Sequence, residues 1–223
     1  MSAGQPLPPA PVNRTFAALV VGAIVAVAVV VTGGVMAIRG LVDPGITNLE
    51  ASMAVGRQDF PDWPTARFDG STQSTATRPS TEDVSPQSCV ALAGAPSRQA
   101  VQVQLKKDTH HALAVWLRLP YTWPNYAEAA RTCTRYTIND LLVIDVDRRP
   151  NPAALPAWVV TVRETVSARG GLVTPFMSVK VLGQYRGVSV TAICLMTATD
   201  PPQTCDQPMA SLFTAQVHKL AAV

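Results

Sequence analysis

The stretch FAALVVGAIVAVAVVVTGGVMAI, residues 16–38, carries no charged side chain and divides the chain into two unequal parts. As a helix it would reach about 34 Å at 1.5 Å per residue, enough to cross a hydrocarbon core of roughly 30 Å. A signal-peptide apolar region is shorter, about 7–15 residues, and ends at a small-residue cleavage site. Val35-Met36-Ala37 makes a poor site of that kind. A soluble core helix would keep one polar face, and this run has none. Residues 16–38 are therefore read as a single transmembrane helix that is not cleaved, in contact with membrane lipid.

The flanks set the expected sidedness. Residues 1–15 contain four prolines within MSAGQPLPPAPVN and are expected to form a disordered, proline-rich tail. Arg14 precedes the run, while Arg39 and Asp43 follow it, so the charge rule favours a cytoplasmic N-terminus only slightly. All four cysteines, Cys89, Cys133, Cys194 and Cys205, come after the run. An even count there suits disulfides in an oxidising compartment. The expectation is a single-pass protein of the cell membrane with an extracytoplasmic C-terminal part. Three pairings are open; Cys194–Cys205 with Cys89–Cys133 is preferred, because the first closes a short Pro-rich connection. Zinc is the rival use of the thiols. No CxxC pair occurs, and His110, His111 and His218 lack ligand spacing to them. No metal or cofactor is expected. A lipidated N-terminal cysteine is excluded, since no Cys precedes Cys89.

Net charge is +3 and charged residues make up 15% of the chain. Lys106-Lys107 and Arg148-Arg149 are isolated pairs, so no nucleic-acid partner is expected. Residues 39–88 read as a stalk and polar linker. Asp43-Pro44-Gly45 breaks the helix, and Ile46, Leu49 and Met53 recur at helical spacing. Phe60 and Trp63 are either membrane-interface aromatics or an arm tucked onto the domain. Residues 70–88 are almost wholly polar and aperiodic, a linker or a long surface loop that is ordered only if residues 60–68 dock.

Residues 89–223 are expected to form one α+β domain, a disulfide-linked antiparallel sheet covered by two helices. AVQVQLKK (100–107) alternates as a half-buried strand, and ALAVWLRL (112–119) is its hairpin return. His110 and His111 then sit at the tip. Asn125 can cap a helix from Ala127 to about Arg135, with Glu128 three residues on. Leu141–Val146 is nearly all apolar and is expected at the sheet centre. Asp145 and Asp147 share one of its faces, where solubility explains them better than acid–base work. Trp158–Val166 alternates again. Pro175 argues that residues 173–183 form an edge. Gly187–Ala198 is a strong strand. The final helix, with Asp206 as its cap and Pro208 in its first turn, stripes Met209, Leu212, Phe213, Val217 and Leu220 along one side and leaves His218 in solvent.

AARTCTRYT around Cys133, AICLMTATD followed by Cys205, and the helix ending FTAQVHKL stand in an order that resembles extracytoplasmic domains of mycobacterial and related actinobacterial membrane proteins and lipoproteins. The PknH-type receptor-kinase sensor domain is the best-known type. The resemblance covers roughly residues 89–220. It implies a mixed α+β domain with two intrachain disulfides and a cleft for a ligand, and it brings no catalytic residues. No kinase domain accompanies the domain here, so any sensing is expected to need a partner.

The expected function is a sensor-like binding module facing a cell-envelope ligand or a membrane-protein partner. Tyr121, Trp123 and Tyr126 on one turn, with Phe60 and Trp63 on the arm, are the candidate contacts, because rings with polar tips suit such sites. The plain alternative is that these rings pack the domain. An accessory subunit of a membrane complex is the neighbouring reading, since Gly22, Gly33 and Gly34 would let another helix approach closely. A cell-envelope hydrolase is a further alternative. The chain has no GxSxG or HExxH, so a triad would have to come from scattered residues, and no enzyme is expected.

Overall fold

The computed structural model describes residues 45–77, 83–171 and 174–223. The proline-rich tail and the apolar run at 16–38 lie outside the described residues. Among those described, no helix is long and apolar enough to cross a membrane.

The alternating stretches form a nine-stranded antiparallel sheet. In chain order its strands are β1 (Arg67–Thr77), β2 (Val84–Ser85), β3 (Ser97–Lys106), β4 (Ala112–Pro120), β5 (Arg135–Ile138), β6 (Leu142–Arg149), β7 (Val160–Ala168), β8 (Phe176–Tyr185) and β9 (Val188–Thr197). They lie side by side as β1-β3-β4-β9-β8-β7-β6-β5-β2. The β3–β4 hairpin pairs Lys106 with Ala112 at its tip. There the Asp108 carboxylate accepts from the backbone N–H groups of His110 and His111, 2.8 and 2.9 Å away.

Three helices cover the sheet: α1 (Val90–Gly94), α2 (Tyr126–Thr132) and α3 (Asp206–Ala221). Strand side chains alternate, so the sheet carries one core on each face, and β8 contributes to both. On one face Val101, Val103 and Leu105 of β3, Leu113, Val115, Leu117 and Leu119 of β4, Val179 and Val181 of β8 and Val190, Ala192, Cys194 and Met196 of β9 meet Met209, Leu212, Phe213, Val217 and Leu220 of α3. On the other, Val160, Val162, Leu182, Ile144 and Tyr136 meet Leu92 of α1 and Tyr126, Ala129 and Ala130 of α2. Both preferred disulfides are present. Cys89–Cys133 ties the entry of α1 to the end of α2, and Cys194–Cys205 ties β9 to the turn that starts α3.

Several sequence expectations change. Residues 45–77 belong to the domain, not to a stalk and linker: Gly45–Val223 is one compact unit. Leu49, Val55 and Phe60 are buried in the α3-side core, and β1 pairs along β3 from Arg67 opposite Lys106 to Thr77 opposite Ser97. Buried Gln216 of α3 holds the arm, accepting from Val55 N at 2.9 Å and donating to Met53 O at 2.8 Å. A polar composition is compatible with a strand here because β1 is an edge, where polar side chains guard against further pairing. β6 lies near one end of the sheet, with Asp145 and Asp147 exposed and paired to Arg135 and Arg163. β8 is central instead of an edge. Pro175 stands just before its first residue, where its missing N–H removes no ladder bond. A third helix, α1, adds to the two expected. Asp206 is the first residue of α3 and not its cap, and its carboxylate takes Arg149 at 3.0 Å.

Candidate functional site

The face of the sheet away from α3 carries a cleft of about 310 Å³. Its walls come from seven strands, from Gln102 and Gln104 on β3 to Tyr136 and Ile138 on β5, with Ala93 of α1 at one side. Laid flat, β3 and β5 would stand roughly 29 Å apart at about 4.8 Å per strand, whereas a cavity of this volume is about 8 Å across. The sheet must therefore curl round this face. Ala112 and Ala114 leave room on β4, and Ile193, Leu195, Val166, Phe176, Leu142 and Ile144 give the cleft apolar walls.

One wall is ionic. Glu164 of β7 is 2% exposed, and its carboxylate lies 2.6 Å from the Lys180 ammonium of β8. Tyr136 donates to Glu164 Oε1 at 2.9 Å, and Ser178 donates to Oε2 at 3.3 Å. Lys180 also donates to Leu92 O of α1 at 3.2 Å. Burial, followed by the charge of Glu164 and the bond to it, pushes the Tyr136 hydroxyl far above its usual range, so it stays a donor. Unsupported burial of either ion would cost several kcal/mol; mutual pairing with three further bonds offsets that.

The opposite wall holds Trp116 of β4. Its Nε1 is buried and has no hydrogen-bond partner among the described residues. Arg118 lies over the indole, its guanidinium carbon 4.5 Å from the ring centroid. Gly94, which ends α1 at φ 127°, permits this placement. A Cβ there would come 2.5 Å from the nearest Arg118 nitrogen. Burial lowers the affinity of Arg118 for its proton, and the only group opposing that effect is Tyr126. Among the described residues no carboxylate pairs with Arg118.

A second, open pocket of about 460 Å³ lies at the end of the sheet, lined by Trp123, Pro124, Asn125, Tyr126, Ala127, Trp158, Gly183 and Gln184. It collects part of the sequence-predicted set. Trp123 is 63% exposed and Tyr121 is 55% exposed, whereas Tyr126 is buried, with its hydroxyl bonded to Ser189 Oγ. Burial raises the Tyr126 hydroxyl above its ordinary range. Trp158, 47% exposed and 5.9 Å from Phe213, completes the pocket; in sequence it reads as the start of a strand that begins only at Val160. Phe60 is buried and packs edge-on against Phe68 at 5.5 Å; Trp63 is half-buried against the same core. Structure thus separates the arm aromatics, which are used in packing, from the Trp123 turn.

His111 is the histidine with the most neighbours. Its Nδ1 lies 2.9 Å from both Asp108 oxygens, and its Nε2 lies 3.0 Å from Asp200 Oδ2. The bond to Asp108 leads in raising its pKa. With both ring nitrogens facing carboxylates, the ring is held as a double donor and presents no proton-accepting nitrogen. Among the described residues no group of three or more His, Cys, Asp or Glu could hold a metal ion.

No family model and no curated protein matches the sequence. Among solved structures, an uncharacterised protein from Mycobacterium smegmatis, the Rv0999 ortholog, is similar over 70% of this chain and 90% of its own. The identity is 12% and the TM-score 0.42.

Proposed function

We propose that the chain is a membrane-anchored, extracytoplasmic binding module, and that the cleft on the curled face of the sheet is its ligand site. Residues 16–38 act as the anchor, and the two disulfides suit an oxidising compartment. The likeness to PknH-type sensor domains belongs to the same proposal, with signalling passed to a partner protein. One observation supports the reading most: a carboxylate, an ammonium and a buried indole N–H are carried into a mostly apolar cleft that stays open. A mostly apolar cavity with a few placed polar groups is the usual form of a small-molecule site. No catalytic step is part of the proposal.

The test uses the full chain in lipid nanodiscs and 1-aminoanthracene, a small neutral fluorophore, with empty discs as blank. Saturable binding that Ala114→Trp abolishes and Trp123→Ala leaves unchanged supports the cleft. Binding indifferent to Ala114→Trp overturns it.

A further inference from the structure

We infer that the cleft takes an anionic amphiphile, its acid group held by Arg118 and Trp116 Nε1 and its apolar tail lying along Ala114, Ile193 and Leu195. This rests on the cleft being the ligand site and adds the ligand's chemistry. Lys180, which lines the cleft, already has its counter-charge in Glu164 at 2.6 Å. Arg118, next to the lining residue Trp116 and confined by Gly94, has none among the described residues. A half-buried guanidinium without a carboxylate keeps only part of its hydration, and a buried indole N–H without an acceptor is costly. Both shortfalls occur on adjacent outward positions of one strand, and a single carboxylate or phosphate would meet both. Arginine suits that role because its planar fork donates two parallel bonds to such groups. Register places the tail's path. Trp116 stands opposite Thr191, and Ala114 opposite Ile193, followed by Ala112 opposite Leu195. Beyond Trp116 the β4 side therefore drops to methyl groups, which with Ile193 and Leu195 form a slim apolar strip between Gln104 of β3 and Lys180 of β8. The charged head belongs at one end and hydrocarbon along the remainder.

The experiment uses the full chain in phosphatidylcholine nanodiscs with two photoreactive probes, diazirine-tagged dodecanoic acid and diazirine-tagged dodecanol, and maps crosslinks by mass spectrometry. The acid should label β4 and β9 peptides saturably, and unlabelled decanoate should compete. Arg118→Met should reduce acid labelling by about tenfold or more, as expected for loss of a charge-assisted bond, and leave alcohol labelling unchanged. Trp116→Phe should reduce it less. Arg118→Met removes an unpaired charge, so it should melt no lower than the wild type and should lose the stabilisation by decanoate. Equal labelling by acid and alcohol overturns the inference but leaves an apolar ligand site standing. Full competition by millimolar inorganic phosphate also overturns it, since the tail would then be unrecognised. If neither probe enters the cleft and 1-aminoanthracene also fails, the underlying ligand site falls with it.

Discussion

Lys180 and Glu164, on neighbouring central strands, form an ion pair of 2.6 Å with side chains only 13% and 3% exposed. Removing one partner leaves the other charged, buried and uncompensated. Lys180→Met should therefore cost on the order of 3–5 kcal/mol. Glu164→Gln should cost somewhat less, because the amide oxygen still accepts from Tyr136 or Ser178. The double variant Glu164→Gln with Lys180→Met should recover much of the loss. Urea denaturation of the four proteins measures the coupling; additive single effects would show that the pair is not energetically linked.

His111 makes stability depend on pH in a defined direction. Its pKa is raised above 6.5 by the bond to Asp108, helped by Asp200. That contribution is complete below about 6.5 and is lost as pH rises through the folded-state value. Asp108 is lowered from 3.8 to about 2, first by the His110 backbone N–H and then by the His111 side chain. Asp200 is lowered chiefly by the Thr197 hydroxyl. Their contributions are present above 3.8 and disappear as pH falls through the folded values. The bridge between the hairpin tip and the β9 exit is therefore strongest between about pH 4 and 6.5. The thermal midpoint of wild type minus His111→Gln should be largest near pH 5.5 and shrink toward pH 8.5. The carboxylates are solvent-facing, so the difference should be modest. A difference independent of pH would refute the bridge.

The strands read most easily in the sequence are those with contrast between faces. Gln102 and Gln104 alternate with Val101, Val103 and Leu105 in β3, so the period of two is visible. β8 is buried on both faces along much of its length, so its alternation disappears and Pro175 is left as the signal, which points to an edge. β1, RFDGSTQSTAT, pairs on one side only and has the composition of a linker. The disulfide pattern is legible because Cys194 and Cys205 lie close in sequence, which leaves the other two to pair. The cleft was not legible. Trp116, Arg118, Glu164 and Lys180 come from three strands whose lateral order only tertiary structure sets. One signal was available: Arg118 and Lys180 each stand between apolar residues of a strand, in VWLRL and SVKVL, where a charged group marks a wall that is not ordinary core.

The two disulfides should contribute unequally. Cys89–Cys133 closes a separation of 44 residues and Cys194–Cys205 one of 11. Chain entropy alone predicts about 4 and about 3 kcal/mol respectively. Cys89→Ser with Cys133→Ser should also loosen α1, whose Ala93 lines the cleft, and α2, which packs in the same core. Hydrogen exchange should then accelerate in residues 90–94 and 126–132 more than in α3. Faster exchange in α3 instead would place the mechanical role of this bridge elsewhere.

Trp123 and Tyr126 are neighbours on one turn with opposite duties. Trp123 is 63% exposed, so Trp123→Ala should change stability by no more than about 0.5 kcal/mol. Tyr126 is buried at the first turn of α2, and its hydroxyl bonds to Ser189 Oγ. Tyr126→Phe leaves that serine short of a partner in a dry setting and should cost about 1–2 kcal/mol. Tyr126→Ala should cost more, about 3 kcal/mol or above, by adding a cavity under α2. If Trp123→Ala proves as damaging as Tyr126→Phe, the indole is held by contacts its exposure does not suggest. If it is neutral for folding but removes a partner in crosslinking from intact membranes, the groove it forms with Trp158 is a second contact surface, independent of the cleft.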